Sequence, residues 1–218
     1  MTIFAVIPAR GGSKGIYKKN IALISKTPLI TFSIQAAKES KLIDRVLVSS
    51  DDDEIIKVSK KYGAETPFKR PKEISGDKSK MIDVLSHVVN FLYQSNESIE
   101  AIVLLQPTSP LRTGKHIDEA ISKFLSSKAS SVVSVTEVPH QYNPFSLLSL
   151  NKNGELNAIA DRVFNRRQDK PKFYARNGPA ILVVSPSVIL NKELYGSTSL
   201  PYLMSKENSL DIDTKEDL

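Results

Sequence analysis

Short apolar runs alternate with amphipathic stretches along the first two-thirds of the chain, and that alternation predicts helices packed on a mostly parallel sheet. Ile3–Pro8 has no polar position, as suits a strand buried on both faces. Residues 29–40 carry Ile30, Ile34 and Ala37 at helical spacing behind Pro28. Residues 45–49 form a second strand. The carboxylates of Asp51, Asp52, Asp53 and Glu54 then open a helix at its electropositive end, Gly63 ends it, and 64–68 reads as a short strand. Residues 81–93 place Val84, Leu85, Val88, Val89 and Leu92 on one helical face. A buried strand follows at 101–105, a helix at 114–125 with Thr113 before it as a cap, and a further strand at 131–136. The expected fold is α/β: a doubly wound, mostly parallel, Rossmann-like sheet. Such sheets take ligands in the crevice beyond the carboxyl ends of their strands.

The pattern breaks after Val138. Residues 139–177 contain Pro144, alternation over 145–150 and an Asn151-Lys152-Asn153-Gly154 turn, which predict a small β-rich excursion of hairpins. The α/β core then comprises 1–138 and 178–218. No internal repeat or low-complexity segment interrupts it.

Composition narrows the function classes. The chain has 218 residues, 40% hydrophobic and 25% charged, with no cysteine, so disulfides, thiolate metal sites and cysteine nucleophiles are excluded. No apolar run approaches the ~20 residues of a membrane span. The opening Met1-Thr2-Ile3-Phe4 has no basic n-region and leads at once into a core strand, so a cytoplasmic protein without membrane contact is expected. The net charge of +6 is dispersed, and its basic pairs lack the interleaved aromatics of a base-stacking surface. Nucleic acid is therefore not the expected partner; a small polyanion is.

The candidate chemistry starts where the first strand ends. Arg10-Gly11-Gly12-Ser13-Lys14-Gly15, followed by Lys19 and Asn20, joins glycines that bring backbone N–H groups close to a ligand with side chains suited to phosphate oxygens. It lacks the closing Gly-Lys-Ser/Thr of a Walker A loop and is not Gly-x-Gly-x-x-Gly. Gln106 and Ser109 lie beyond another buried strand, where an amide and a hydroxyl can meet a polyol. Asp211 and Asp213 alternate in an extended segment, so both carboxylates can face one cavity and offer hard oxygens to Mg²⁺. Arg162, Arg166, Arg167, Gln168 and Lys170 form a polar, largely cationic patch in the excursion. His87, His116 and His140 show no metal-ligand spacing, and no Gly-x-Ser-x-Gly elbow supports a hydrolase triad.

Four stretches in order, Ile7–Gly15 with Lys19-Asn20, Leu105–Arg112, Arg166–Pro171 with Asn177-Gly178, and Ser209–Thr214, resemble the acylneuraminate cytidylyltransferases, the CMP-sialic acid synthetase family that includes the legionaminate and pseudaminate enzymes. The resemblance implies a Mg²⁺-dependent transfer from CTP to a nine-carbon acidic sugar, releasing pyrophosphate. It implies that Arg10, Gly11, Gly12, Ser13, Lys14, Lys19, Asn20 and Arg70 bind nucleotide. Gln106, Ser109, Arg167, Gln168 and Asn177 would bind sugar, and Asp211 and Asp213 would hold metal. Arg10, Lys19 and Asp211 are the expected catalytic residues, Asp51 has at most a supporting place, and the acceptor of the hydroxyl proton stays open. It further implies a homodimer whose excursion completes the partner's active site. The chain departs from the sialate pattern at Lys80-Met81 and at Pro179, which leans toward a non-sialate acceptor. A KDO cytidylyltransferase and a non-catalytic sugar-nucleotide-binding protein on the same fold remain the alternatives.

Overall fold

The structure is a computed structural model that describes residues 1–12, 15–160, 164 and 166–217. In chain order it comprises β1 (Thr2–Pro8), a small ribbon of β2 (Leu23–Ile24) and β3 (Thr27–Pro28), then α1 (Leu29–Glu39), β4 (Arg45–Ser49), α2 (Asp53–Lys61) and α3 (Met81–Gln94). There follow β5 (Ile99–Leu104), α4 (Gly114–Leu125), β6 (Ser131–Glu137), a hairpin of β7 (Leu148–Leu150) and β8 (Leu156–Ala158), and β9 (Tyr174–Arg176). The chain closes with β10 (Leu182–Val184), α5 (Pro186–Leu190) and β11 (Ser199–Leu203), followed by an extended tail with short 3-10 turns.

The main sheet has seven strands in the order β11-β6-β10-β5-β1-β4, with β9 also on β6. β1 pairs in parallel with β4 and β5, and β11 with β6, while β10 lies antiparallel between β5 and β6. Alternate β1 side chains serve opposite cores, as a strand buried on both faces requires. Ala5 and Ile7 pack with Ile30 and Ile34 of α1 and with Ile117 and Ile121 of α4. Phe4 and Val6 pack with Leu85, Val88 and Leu92 of α3 and with Ile189 of α5. The predicted doubly wound α/β architecture is present, and no helix of the described residues is long and apolar enough to cross a membrane.

Local signals act as their chemistry requires. Asp52 caps α2 by accepting from the Glu54 and Ile55 amides at 2.9 and 3.0 Å. Thr113 and His116 form a reciprocal capping box on α4. One expected strand is absent. Over 64–68 the chain makes a single parallel bridge, Leu47 to Glu65, because Pro67 has no N–H to carry the ladder on.

The excursion is β-rich as expected. Its hairpin forms a separate two-stranded sheet whose turn is held by Asn151, with Oδ1 accepting from the Asn153 and Glu155 amides at 2.9 Å. Phe145 gathers Phe164 and Phe173 at centroid distances of 4.8 and 5.9 Å into a small core of its own. β9 then returns to β6 before the chain re-enters the central sheet at β10.

Gly114 sets the distance between α4 and α1. A Cβ there would lie 2.7 Å from the Glu39 carbonyl carbon and 2.8 Å from the Ser40 nitrogen, both backbone atoms that cannot swing aside. Gly114→Ala is expected to cost about 1–3 kcal/mol by overpacking, read as a lower denaturant midpoint at unchanged m-value. An unchanged midpoint would show that the two helices can separate freely.

Candidate functional site

A cleft of about 400 Å³ opens beyond the carboxyl ends of β1 and β5, lined by Pro8, Arg10, Lys19, Asn20, Arg70, Gln106 and Thr108 among others. The loop leaving β1 is fixed at three points. Asn20 is buried and its amide donates to the Arg10 carbonyl at 3.0 Å. Ile16 is buried with Leu29 and Ile212 in a small apolar cluster. The Gly11 amide donates to Asp51 Oδ1 at 3.1 Å. Gly11 is required sterically, since a Cβ would sit 2.7 Å from Asp52 Oδ2; Gly12 faces open space. Gly15 lets the C-terminal segment approach, because a Cβ would meet the Asp213 carbonyl at 2.7 Å.

Each described cation of the loop meets carboxylate from a different part of the chain. Arg10 pairs with Asp77 at 2.5 Å and Lys18 with Glu54 at 2.6 Å. Lys19 Nζ donates to the Ile212 carbonyl at 2.8 Å and to Asp213 Oδ1 at 2.9 Å. Ser13 and Lys14, expected to bind phosphate, lie outside the described residues. Arg70 is buried beneath the cleft, with Nε donating to Ser49 Oγ at 3.0 Å and Nη2 to the Ser49 carbonyl. Burial pushes its guanidinium down to about 10, against the opposing pull of Asp51, so it stays charged at neutral pH.

The far wall comes from the loop after β5 and from the tail. Gln106 Nε2 donates to the Gly178 carbonyl at 3.0 Å, and the Thr108 carbonyl accepts from the Ile212 amide at 2.8 Å. The Thr108 side chain eases the charge on Asp211, yet Oδ1 of Asp211 is buried with no hydrogen-bond partner among the described residues. Burial, with the nearby Asp213 carboxylate adding to it, pushes the Asp211 carboxyl above the usual aspartate range. A buried carboxylate oxygen without a partner, beside a second carboxylate, fits a divalent cation that takes hard oxygens and fills its remaining positions with water and phosphate. Among the described residues no group of three or more His, Cys, Asp or Glu could hold a metal, and of the two carboxylates expected to face one cavity only Asp213 lines the cleft, so a cation there would draw most of its oxygens from ligand and water. His87 instead packs edge-on against Phe68 at 4.7 Å.

Four expected sugar contacts are placed differently. Asn177 is buried, and its amide is spent inside the fold: Oδ1 accepts from Ser134 Oγ at 2.6 Å, and Nδ2 donates to Ser209 Oγ at 2.9 Å. Arg167 and Gln168 line a second cavity of about 420 Å³ with His140 and Lys170 in the excursion. The reason is topological: the excursion leaves from β6, which β10 and β5 separate from β1. Ser109 is also buried, its Oγ near Gly178 but without a hydrogen-bond partner among the described residues.

Sequence reasoning missed Asp77, Thr108 and the buried Arg112. Asp77 sits in an aperiodic Ser75-Gly76-Asp77 turn that carries no signal of its long-range partner. The Leu105–Arg112 motif pointed to the right loop without indicating that its arginine turns inward.

Comparison with known proteins adds to this geometry. A family model described as cytidylyltransferase matches residues 4–218. The chain is 32% identical over 219 residues to a pseudaminic acid cytidylyltransferase of Campylobacter jejuni, covering 100% of this chain and 94% of that protein. It is 33% identical to an N-acylneuraminate cytidylyltransferase of Escherichia coli, covering 99% of this chain and 50% of that longer protein. A solved CMP:2-keto-3-deoxy-manno-octonic acid synthetase, in complex with CTP, superposes with a TM-score of 0.72 at 14% identity over 99% of this chain and 95% of that one, a likeness of fold.

The Arg10–Asp77 pair is partly exposed and competes with any anion for the same guanidinium. Asp77→Asn is expected to tighten binding of inorganic tripolyphosphate by about two- to fivefold, the scale of one exposed ion pair, in a calorimetric titration. Weaker binding would show that Asp77 supports the anion site rather than occupying it.

Proposed function

The chain belongs to the cytidylyltransferase family and is a nucleotidyltransferase, and from that premise we propose that it couples CTP to a nine-carbon acidic sugar of the sialic, legionaminic or pseudaminic type. The observation that carries the reading is the convergence of the β1 loop, the Gln106 loop and Asp213 of the tail on one cleft. The loop cations and the Gly11 amide exchange their carboxylate partners for the triphosphate. Asn20 and Arg70 line the nucleotide side, and Gln106 orients the acceptor. A sugar hydroxyl forms the new bond to the α-phosphorus as the bond to pyrophosphate breaks, a transfer that depends on alignment and charge neutralisation more than on covalent catalysis. Arg10 and Lys19 meet the charge that develops on the phosphates. Mg²⁺, held by Asp211 and Asp213, supplies further neutralisation of phosphate oxygens when bound.

A homodimer belongs to the same proposal. The hairpin presents Leu148, Leu150 and Leu156 at 56%, 70% and 65% exposure, more apolar surface than a free hairpin needs. Pairing two copies through the excursion would cover it and carry Arg167 and Gln168 toward the partner's cleft. Sedimentation should give twice the 24.1 kDa chain mass, and a monomer at all concentrations would remove this part of the proposal. A cytoplasmic location goes with the use of CTP.

The decisive assay is pyrophosphate release from CTP and Mg²⁺ with neuraminate, legionaminate, pseudaminate or KDO added separately. Release with one nine-carbon acid is expected, and Asp211→Ala is expected to abolish it. Release with KDO alone would move the chain to the eight-carbon acceptor, and near-normal turnover of Asp211→Ala would remove that residue from the mechanism.

A further inference from the structure

Arg112 is an arginine placed where a core residue would ordinarily sit. It is 3% exposed, and no ion pair of its guanidinium occurs among the described residues. Burial alone holds it down to about 9, which still leaves it charged at neutral pH. A buried cation without a carboxylate is costly, so its retained contacts identify what it does.

Those contacts converge on one residue. Nη1 donates to the Gln106 carbonyl at 3.2 Å and to the Ala180 carbonyl at 2.7 Å. Nη2 donates to Ser33 Oγ at 2.5 Å, and that hydroxyl donates to the same Gln106 carbonyl at 3.2 Å. The Gln106 side chain in turn reaches the Gly178 carbonyl, two residues before Ala180. Gln106 is thus held at its backbone and at its amide, within a frame that ties α1, the loop after β5 and the approach to β10. Only the planar fork of arginine can serve three acceptors on these two nitrogens; a lysine offers one flexible nitrogen.

We propose that Arg112 is a positioning residue that sets Gln106 at the rim of the cleft for the acceptor sugar, acting from behind without touching substrate. The functional half rests on the reading of Gln106 given above; the structural half does not.

The test uses Arg112→Lys, with Ser33→Ala as a milder second variant that keeps the buried charge. Amide hydrogen exchange requires no acceptor and is read first. Faster exchange confined to 105–112 and 178–181, with β1 and α3 still protected, is expected for both variants. Unchanged exchange there, or a uniform rise throughout the chain, would overturn the positioning role. In turnover with the acid that wild type accepts, Arg112→Lys should raise the acceptor KM by about tenfold, the scale of one charged hydrogen bond, with the CTP KM within about twofold. In a Gln106→Ala background the same change should add less than about twofold, because coupled residues are not additive. Equal rises in both KM values, or full additivity with Gln106→Ala, would overturn the link to Gln106. Absence of wild-type turnover with every acid would instead count against the proposed function, while the exchange result still decides whether Arg112 positions the loop.

Discussion

Lys19 joins the two ends of the chain, and the rest of the site depends on that contact. Its ammonium holds the Ile212 carbonyl and the Asp213 carboxylate, partners 193 and 194 positions away. Three neighbouring features make the approach possible. Gly15 leaves room for the Asp213 backbone, Ile212 is buried against Ile16 and Leu29, and the Ile212 amide is bonded to Thr108. Together they press the tail between the loop after β1 and the loop after β5. Asp211 thereby becomes a half-buried carboxylate with an oxygen that none of the described residues satisfies. Without the tail Lys19 would lose its carboxylate partner, while Arg10 and Lys18 would keep Asp77 and Glu54.

The sheet determines where such a site can be. β1, β4 and β5 run in parallel, so the loops that leave them emerge on one edge, and the glycine-rich turn, Asp51 and Gln106 all belong to that edge. Electrostatics then sets its resting state. Arg10, Lys18 and Lys19 are each matched by a carboxylate from another segment, and Asp51 takes the Gly11 amide. A polyanionic ligand exchanges one set of oxygens for another, so the loop need not stand as unneutralised positive charge before the ligand arrives. Surface pairs of this kind are individually weak, which keeps the exchange easy.

Much of this was legible in the sequence because it rests on periodicity. A residue-by-residue apolar run marked β1, the spacing of Val84, Leu85, Val88 and Leu92 marked α3, and glycines among cations marked the phosphate loop. What stayed hidden depends on long-range contacts. Nothing local showed that Asp77 would meet Arg10, whereas Pro67, which stops the strand after one bridge at Glu65, was a local signal that the reading of 64–68 passed over. Asn177 carried the resemblance, yet its amide serves Ser134 and Ser209. Arg167 and Gln168 were read as sugar contacts from their family setting, while in a single chain they line a different cavity. Arg112 was quoted within a motif without a role, because an arginine's direction follows from the packing of α1 and β10 rather than from its neighbours in sequence.

The most direct measurement is calorimetric titration of CTP into wild type and into Lys19→Met, without acceptor, with circular dichroism as a check on folding. Tight, saturable binding to wild type and a loss of about tenfold or more in the folded variant are predicted, since one charge-assisted bond to phosphate is removed together with the tether to the tail. Equal affinity of the two proteins for CTP would contradict the account, because the contact on which the site depends would then contribute nothing to the ligand it is built to hold.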